Sequence, residues 1–424
     1  MTYHPLLDPI AVLVFTSTIV GFTPARSLSR IACLPVLGAL TWHCILNCPF
    51  YIARSAWASA VGGYTISSFL HYLDVAVLSK LSFDDHGASR DPSKIVQGSA
   101  PRGSRQRQAT PSSRQHAPET PRSQVLQRVK FGLSVFFSWR FVNTPHQVRN
   151  LPQLDGRLRA SRARFLCHTA LTIVICYILL DIMDSSSDAE VSAKFYTPDK
   201  VGVISRIAEV SLEELVMRLF AALGLCTGLI AFQRGVYNVA AFFCVATGMS
   251  DPGDWPPFNG PLTETYSLRR FWSTFWHQIN THRLNAISSF LLHDVLRLSR
   301  GTKFVRYLRI WLIFLLSGIM HVAIDVASGI PLQHSGAMKF FAIQPLGVFI
   351  EDMFLALYNS GSESPSIPKT TRLWQRCIGW AWLGLWMAWT APAYLYPIMA
   401  QEESEENGGV VPVSVIAYAE SFIG

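Results

Sequence analysis

His321 is an ionisable side chain in a segment that the sequence predicts to be a membrane-spanning helix. It lies 13 residues past Leu308, or about 20 Å along a helix that rises 1.5 Å per residue. Ionisable groups at such a depth are costly and are therefore candidates for function. Asp325 is one turn further on, on the same face, so its carboxylate is expected to orient the imidazole for general base catalysis. A hydrogen-bonded pair that only links helices is the alternative.

A second candidate region extends from Arg270 to Arg283 and is rich in aromatic side chains. If the segment is helical, its apolar face holds Phe271, Trp272, Phe275, Trp276 and Ile279, and its polar face holds Arg270, Ser273, Thr274, His277, Gln278 and Thr281. This amphipathic pattern predicts a helix that lies in the membrane interface or lines a wet cavity. An interfacial anchor without a catalytic part remains the alternative.

Other polar side chains give weaker signals. Glu351 and Asp352 interrupt an apolar run, and one of them is expected to face the interior as a polar lining group or an ion-pair partner. No spacing of cysteines and histidines indicates a metal site, so no metal is expected.

These side chains must be positioned by membrane helices. The 424 residues are 50% hydrophobic and only 15% charged, against about 25% charged in a typical soluble domain. Eight runs are long and apolar enough to cross a membrane: 9–24, 31–52, 57–80, 165–183, 215–232, 308–328, 338–358 and 377–400. The stretch Gly235–Met249 is either re-entrant or a ninth span. The sequence thus predicts an all-α membrane protein.

Charge asymmetry predicts the orientation and the domains. Fifteen of the 36 Lys and Arg residues lie between Arg90 and Arg164, so this loop is expected in the cytosol and no nucleic-acid partner is expected. The domains are therefore N-terminal spans at 1–83, a basic cytosolic loop at 84–164, a membrane core at 165–400 and an acidic tail at 401–424. Residues 87–124 lack Phe, Trp, Tyr and Leu, which predicts disorder in the first half of the loop.

Three motifs together resemble a known family. They are Trp255-Pro256-Pro257, then Ser267-Leu268-Arg269-Arg270-Phe271-Trp272-x3-Trp276-His277-Gln278, then Ser317-Gly318-x2-His321. This combination resembles the wax-synthase-like branch of the membrane-bound O-acyltransferase family. It is most similar to fungal O-acetyltransferases of terpenoid and meroterpenoid biosynthesis, and the match is strongest over about 250–355.

The resemblance implies a helical fold around a tunnel and direct acyl transfer without a bound cofactor. Acetyl-CoA would be the donor, with its phosphates near Arg269, Arg270, Arg283 and Arg297. A lipophilic alcohol would reach the tunnel from the membrane lipid. His321 would act as the base and His277 or Gln278 would stabilise the oxyanion. Substrate contacts are expected from Trp272, Trp276, Gln278, Arg270 and Glu351.

Two other functions remain open on sequence grounds. Tunnel width decides donor length, so a wax-ester synthase that uses a long-chain acyl-CoA and a fatty alcohol is one alternative. A non-enzymatic multi-span transporter is the other, although internal duplication is not evident. The expected location is the endoplasmic reticulum membrane.

Overall fold

The computed structural model describes residues 3–86, 121–186, 188–360, 373–404 and 409–421. Within these ranges the chain forms helices joined by turns and loops, with no β-strand. This confirms the all-α fold class. Residues 87–120, most of the segment predicted to be disordered, lie outside the described residues.

The helices are numbered in chain order. They are α1 (Leu7–Phe22), α2 (Ser29–Ala32), α3 (Leu34–Tyr51), α4 (Ser55–Tyr72), α5 (Phe83–His86), α6 (Pro121–Phe137), α7 (Gly156–Ala160), α8 (Arg162–Ser185), α9 (Ala189–Phe195), α10 (Leu212–Thr247), α11 (Leu268–Arg270), α12 (Thr281–Ser289), α13 (Lys303–Ser328), α14 (Ala337–Ser360), α15 (Leu373–Thr390), α16 (Pro392–Ser404) and α17 (Val415–Glu420). Three π-helical turns follow α4, α11 and α12, at Leu73–Leu78, Phe271–Phe275 and Phe290–Val295.

Five helical segments among the described residues are long and apolar enough to cross a membrane. They are Ser29–Tyr51, Arg162–Ser185, Leu212–Thr247, Lys303–Ser328 and Ala337–Tyr358. Helix α1 is also apolar but shorter. The membrane-protein class is therefore confirmed, whereas the total of eight spans stays a prediction.

Helix α10 settles the structure of Gly235–Met249, which the sequence left open. The helix is continuous for 36 residues and ends at Gly248, whose φ of 81° gives a left-handed C-cap. Gln233 and Arg234 interrupt the apolar run but are good helix formers, so the backbone continues. Gly235–Thr247 is thus the second half of one helix rather than a separate hairpin.

The last predicted span is two helices. Helix α15 ends at Thr390 and α16 begins at Pro392. Proline has no backbone N–H and disfavours helical dihedrals in the residue before it, so the chain breaks at Ala391. The break places Tyr394 and Tyr396 in the buried core.

The segment predicted as a basic loop contains helices α6 and α7. Helix α6 packs against α1, and its first turn includes residues 121–124, which were predicted to be disordered. The connection from α6 to α7, residues 138–155, carries Arg140, Arg149 and Asn150.

Helix α13 is central to the fold because it packs against α3, α4, α12 and α14. Gly318 lies at its contact with α14, where a Cβ atom would come within about 3.1 Å of Met338 and 3.3 Å of Phe341. The absence of a side chain therefore lets the two helices approach closely, one turn before His321.

Candidate active site

His321 presents one free ring nitrogen. Its Nδ1 lies 2.8 Å from the backbone carbonyl oxygen of Ser317, one turn earlier in α13. A carbonyl only accepts hydrogen bonds, so Nδ1 carries the proton and Nε2 keeps its lone pair. Side chains on a helix tilt toward its N-terminus, which explains why the imidazole reaches Ser317. The histidine is therefore in the tautomer that a general base requires.

Asp325 does not make the direct contact with His321 that the spacing suggested. Its Oδ2 accepts a hydrogen bond of 2.6 Å from the Ser335 hydroxyl, and the Tyr394 hydroxyl is a further hydrogen-bond partner. The Tyr394 ring in turn lies edge-on to the imidazole, with 5.8 Å between ring centroids. The carboxylate thus holds Tyr394, which borders His321, while Ser317 fixes the imidazole itself.

The segment Arg270–Arg283 is not the continuous helix that the amphipathic pattern predicted. Helical structure ends at Phe275, and Trp276 has an extended backbone with ψ of 149°. The Gln278 amide nitrogen donates to the carbonyl oxygens of Ser273, at 3.1 Å, and Trp276, at 2.8 Å. These side-chain bonds replace the helical bonds of the turn, and a new helix starts at Thr281.

The same contacts change the role expected for Gln278. Both amide hydrogens are used by backbone carbonyls, and its Oε1 accepts a 2.9 Å bond from the Thr281 hydroxyl. Gln278 therefore has no donor left for an oxyanion, because its hydrogen bonds shape the turn that carries His277.

Residues far away in the sequence hold this turn in place. Arg140 donates to the carbonyl oxygens of Pro256 and Pro257, at 2.9 and 2.8 Å, and is buried. Asn150 donates to the Ser273 carbonyl at 3.2 Å. Neither residue was predicted from the sequence, since nothing in local spacing links the 138–155 connection to this turn.

The backbone of the Pro-rich approach lies directly against the turn. The amide of Gly260 donates to the Phe275 carbonyl at 2.9 Å, and a Cβ at Gly260 would collide with the Thr274 backbone. Glycine is therefore required at this close approach. The motifs near residues 255 and 270 thus form one structural unit.

His277 is held in this unit as a half-buried imidazole. Its Nδ1 is inaccessible to solvent and has no hydrogen-bond partner among the residues that the structure describes. Burial, together with the nearby His321, Arg140 and Arg283, lowers the pKa of His277 to about 3. The imidazole is therefore neutral at physiological pH, and a neutral imidazole carries one N–H that can donate a hydrogen bond.

The two histidines line one cavity of about 270 Å³. Trp272, Trp276 and Gln278, for which the sequence predicts substrate contacts, also line it. Further lining residues that were not predicted from the sequence come from the 138–155 connection and from helices α12 and α13, including Arg149, Asn150, Asn285 and Phe314. The cavity therefore brings His277 and His321 together with both apolar and polar surfaces.

Two residues for which substrate contacts were predicted, Arg270 and Glu351, do not line the cavity. Arg270 pairs with Glu264 and lies over the Tyr266 ring. Glu351 accepts a 2.7 Å hydrogen bond from the backbone amide of Leu268, so it caps the start of α11 rather than lining the cavity.

The basic residues that were expected near the donor phosphates lie in different places, and not all of them line the cavity. Arg283 is buried and donates to the carbonyl oxygens of Ser67 and Ile279. Arg297 is exposed and does not line the cavity. Arg269 does line it and forms an ion pair with Asp352, which confirms a paired role for one of the two acidic residues of α14. Within the described ranges no cluster of side chains could hold a metal ion.

Comparison with known proteins adds to this geometry. Residues 255–343, which include both histidines, match the model of the membrane bound O-acyl transferase family. The chain is 30% identical to acetyltransferase aurG of Calcarisporium arbuscula, over 90% of this chain and 89% of the relative. It is 35% identical to acetyltransferase ataH of Aspergillus terreus, over 66% and 93%, and 27% identical to acetyltransferase fsoF of Humicola fuscoatra, over 91% and 93%. No solved structure matches the chain.

Proposed function

The chain belongs to the membrane-bound O-acyltransferase family, and we propose that it transfers an acetyl group from acetyl-CoA to the hydroxyl of a lipophilic alcohol. The observation that carries the proposal is the shared cavity, in which His321 offers a free Nε2 beside the neutral His277. Acyltransferase activity follows from the family, whereas the donor, the acceptor and the roles of the residues are the proposal.

The proposed reaction is a direct transfer. The alcohol oxygen attacks the thioester carbonyl while Nε2 of His321 accepts the hydroxyl proton. The tetrahedral intermediate then collapses, the C–S bond breaks and the proton passes to the leaving CoA thiolate. The products are the acetyl ester and CoA. Because no serine or cysteine nucleophile takes part, donor and acceptor must occupy the cavity at the same time.

His277 is suited to bind the reacting oxygen. The neutral imidazole lines the cavity, so its ring N–H can donate a hydrogen bond to the negative charge that develops on the thioester oxygen. Because the ring is half-buried, fewer water molecules compete for such a bond than at the protein surface. In this assignment His321 moves the proton and His277 stabilises the oxyanion.

The donor enters, in this proposal, past the cationic side of the cavity. Arg149 and Arg269 both line the cavity and can attract the phosphates of acetyl-CoA. Arg149 belongs to the segment that charge asymmetry places in the cytosol, where acetyl-CoA is available. Arg270 and Arg283 are not assigned this role because they do not line the cavity.

The acceptor class rests on the resemblance to fungal O-acetyltransferases. A hydroxylated terpenoid or meroterpenoid would reach the cavity from the membrane, which we expect to be that of the endoplasmic reticulum. Trp272 and Trp276 supply apolar surface for such a molecule. The names of the relatives specify acetyl transfer, which favours an acetyl donor over the long-chain donor of a wax-ester synthase.

The test is a microsomal assay with labelled acetyl-CoA and a panel of hydroxylated terpenoids, sterols and long-chain alcohols. His321→Ala is expected to lower turnover by about 10²- to 10⁴-fold, the usual contribution of a general base. His334→Ala is the matched control, because His334 is exposed and does not line the cavity. Full activity in His321→Ala would overturn the assignment of the base, and turnover only with long-chain acyl-CoA would overturn the donor.

A further inference from the structure

One wall of the cavity beside His321 is made of aromatic rings. Phe341 lies against the imidazole, with 4.2 Å between ring centroids. The Trp272 ring lies edge-on to Phe314, at 5.4 Å, and its centroid is 6.1 Å from that of Phe341. Trp272, Phe314 and Phe341 all line the cavity, and we call these three residues the aromatic wall.

The space behind the aromatic wall is filled. Phe341 belongs to a buried cluster with Phe340, Ala337 and Tyr394. The Phe340 and Tyr394 rings are stacked at 5.8 Å, and both residues are at least 92% buried. Among the described residues, the side chains of this buried cluster therefore pack against Phe341.

The aromatic wall is also held rigidly. The indole nitrogen of Trp272 is 3.4 Å from Oε1 of Gln344, which is fully buried and also accepts a 3.0 Å bond from Trp386. Phe341 is fixed by the close packing of α14 on Gly318. Rings held in this way cannot turn aside for a longer group without breaking buried contacts.

We propose that the aromatic wall, and Phe341 in particular, limits the acyl donor to a short chain. The inference rests on the proposed acyl transfer at His321 and adds the residue that selects donor length. An acetyl group places only a methyl group beyond the reacting carbonyl, whereas each further methylene would have to displace the Phe341 ring. One methylene in a close-fitting pocket changes kcat/KM by about 10- to 200-fold.

The experiment compares two neighbouring phenylalanines. Phe341 lines the cavity and Phe340 does not, although both lie in the same cluster and are 4% and 7% exposed. Phe341→Ala and Phe341→Leu would be compared with Phe340→Ala for kcat/KM with acetyl-, butyryl- and hexanoyl-CoA. The acceptor would be the one that the wild type acetylates.

The measured quantity is the ratio of kcat/KM for hexanoyl-CoA to that for acetyl-CoA. We expect Phe341→Ala to raise this ratio at least about tenfold, and Phe341→Leu to raise it less, because leucine fills more of the space. Phe340→Ala should lower the amount of folded protein without changing the ratio. If Phe341→Ala fails to accumulate, Phe341→Leu decides the outcome.

The outcomes separate this inference from the proposed function. An unchanged ratio in both Phe341 variants, with wild-type acetyl transfer intact, would overturn the aromatic wall as a length limit and leave the function standing. An equal rise in Phe340→Ala would show general loosening of the core and would also overturn it. A wild type that prefers hexanoyl-CoA would overturn both the acetyl donor and the length limit.

Discussion

Replacement of Asp325 by asparagine distinguishes two ways in which this carboxylate can support His321. In a direct dyad the carboxylate bonds the imidazole and fixes its tautomer. Here Ser317 fixes the tautomer, and Asp325 bonds Ser335 and Tyr394 instead. Asp325→Asn keeps the shape and one acceptor oxygen, so it removes charge and about one hydrogen bond while leaving the Ser317 contact intact.

The magnitude follows from this arrangement. Loss of the orienting carboxylate in a direct catalytic triad lowers kcat by about 10⁴-fold. Asp325 does not contact His321 directly, and loss of one of its buried hydrogen bonds costs about 1–1.5 kcal/mol, which corresponds to a roughly tenfold decrease in rate. We therefore expect Asp325→Asn to lower kcat about tenfold with little change in KM. Tyr394→Phe should have a similar effect, because it removes the hydroxyl that bonds to the Asp325 carboxylate.

The assay is steady-state kinetics on membranes that contain equal amounts of folded enzyme, with Asp325→Asn, Tyr394→Phe and the double variant compared. Each single change removes the same hydrogen bond between Asp325 and Tyr394. The double variant should therefore be no slower than the slower single variant. A loss of about 10⁴-fold in Asp325→Asn with an unaffected Tyr394→Phe would refute the reasoning. It would mean that Asp325 contacts His321 directly during turnover.

Two further predictions concern the turn that carries His277. Because the pKa of His277 falls to about 3 in the folded state, the unfolded chain binds a proton below about pH 6.5 and the folded chain does not. The free energy of unfolding should thus fall as the pH is lowered, by about 2 kcal/mol at pH 5. His277→Gln should flatten the dependence of Tm on pH. An unchanged dependence of Tm on pH in this variant would contradict the lowered pKa of His277. Gln278→Ala removes three hydrogen bonds and should destabilise the fold by about 2–3 kcal/mol, which thermal unfolding measures. A large loss of kcat at an unchanged Tm would instead restore Gln278 as an oxyanion donor.

The sequence was sufficient to predict that His321 lies inside a long apolar helix, because that placement depends on helical periodicity alone. An apolar run of known rise per residue predicts the depth of His321 in the membrane, and that run is helix α13. The orientation of its ring was not predictable in the same way. Ser317 and Asp325 are each one turn from His321, and the choice between them depends on Ser335 and Tyr394, which lie outside α13.

The prediction of a continuous helix over Arg270–Arg283 was wrong because side chains there form hydrogen bonds with the backbone. The periodic pattern of apolar and polar residues from Arg270 onward is compatible with a helix. However, the Gln278 side chain donates hydrogen bonds to the carbonyl oxygens of Ser273 and Trp276. Periodicity does not register such competition, so the break at Trp276 was missed. In α10 the opposite error occurred, since hydropathy falls at Gln233 and Arg234 although the helix does not end there.

The two histidines therefore depend on different parts of the chain. His321 is placed by α13, which other helices surround, whereas His277 is placed by a short turn that Arg140 and Asn150 reach from the 138–155 connection. The distance between the imidazoles is consequently set by how that connection docks. A change at Arg140 can alter the cavity without touching either histidine, because the Pro256 and Pro257 carbonyls that it holds form the support of the His277 turn.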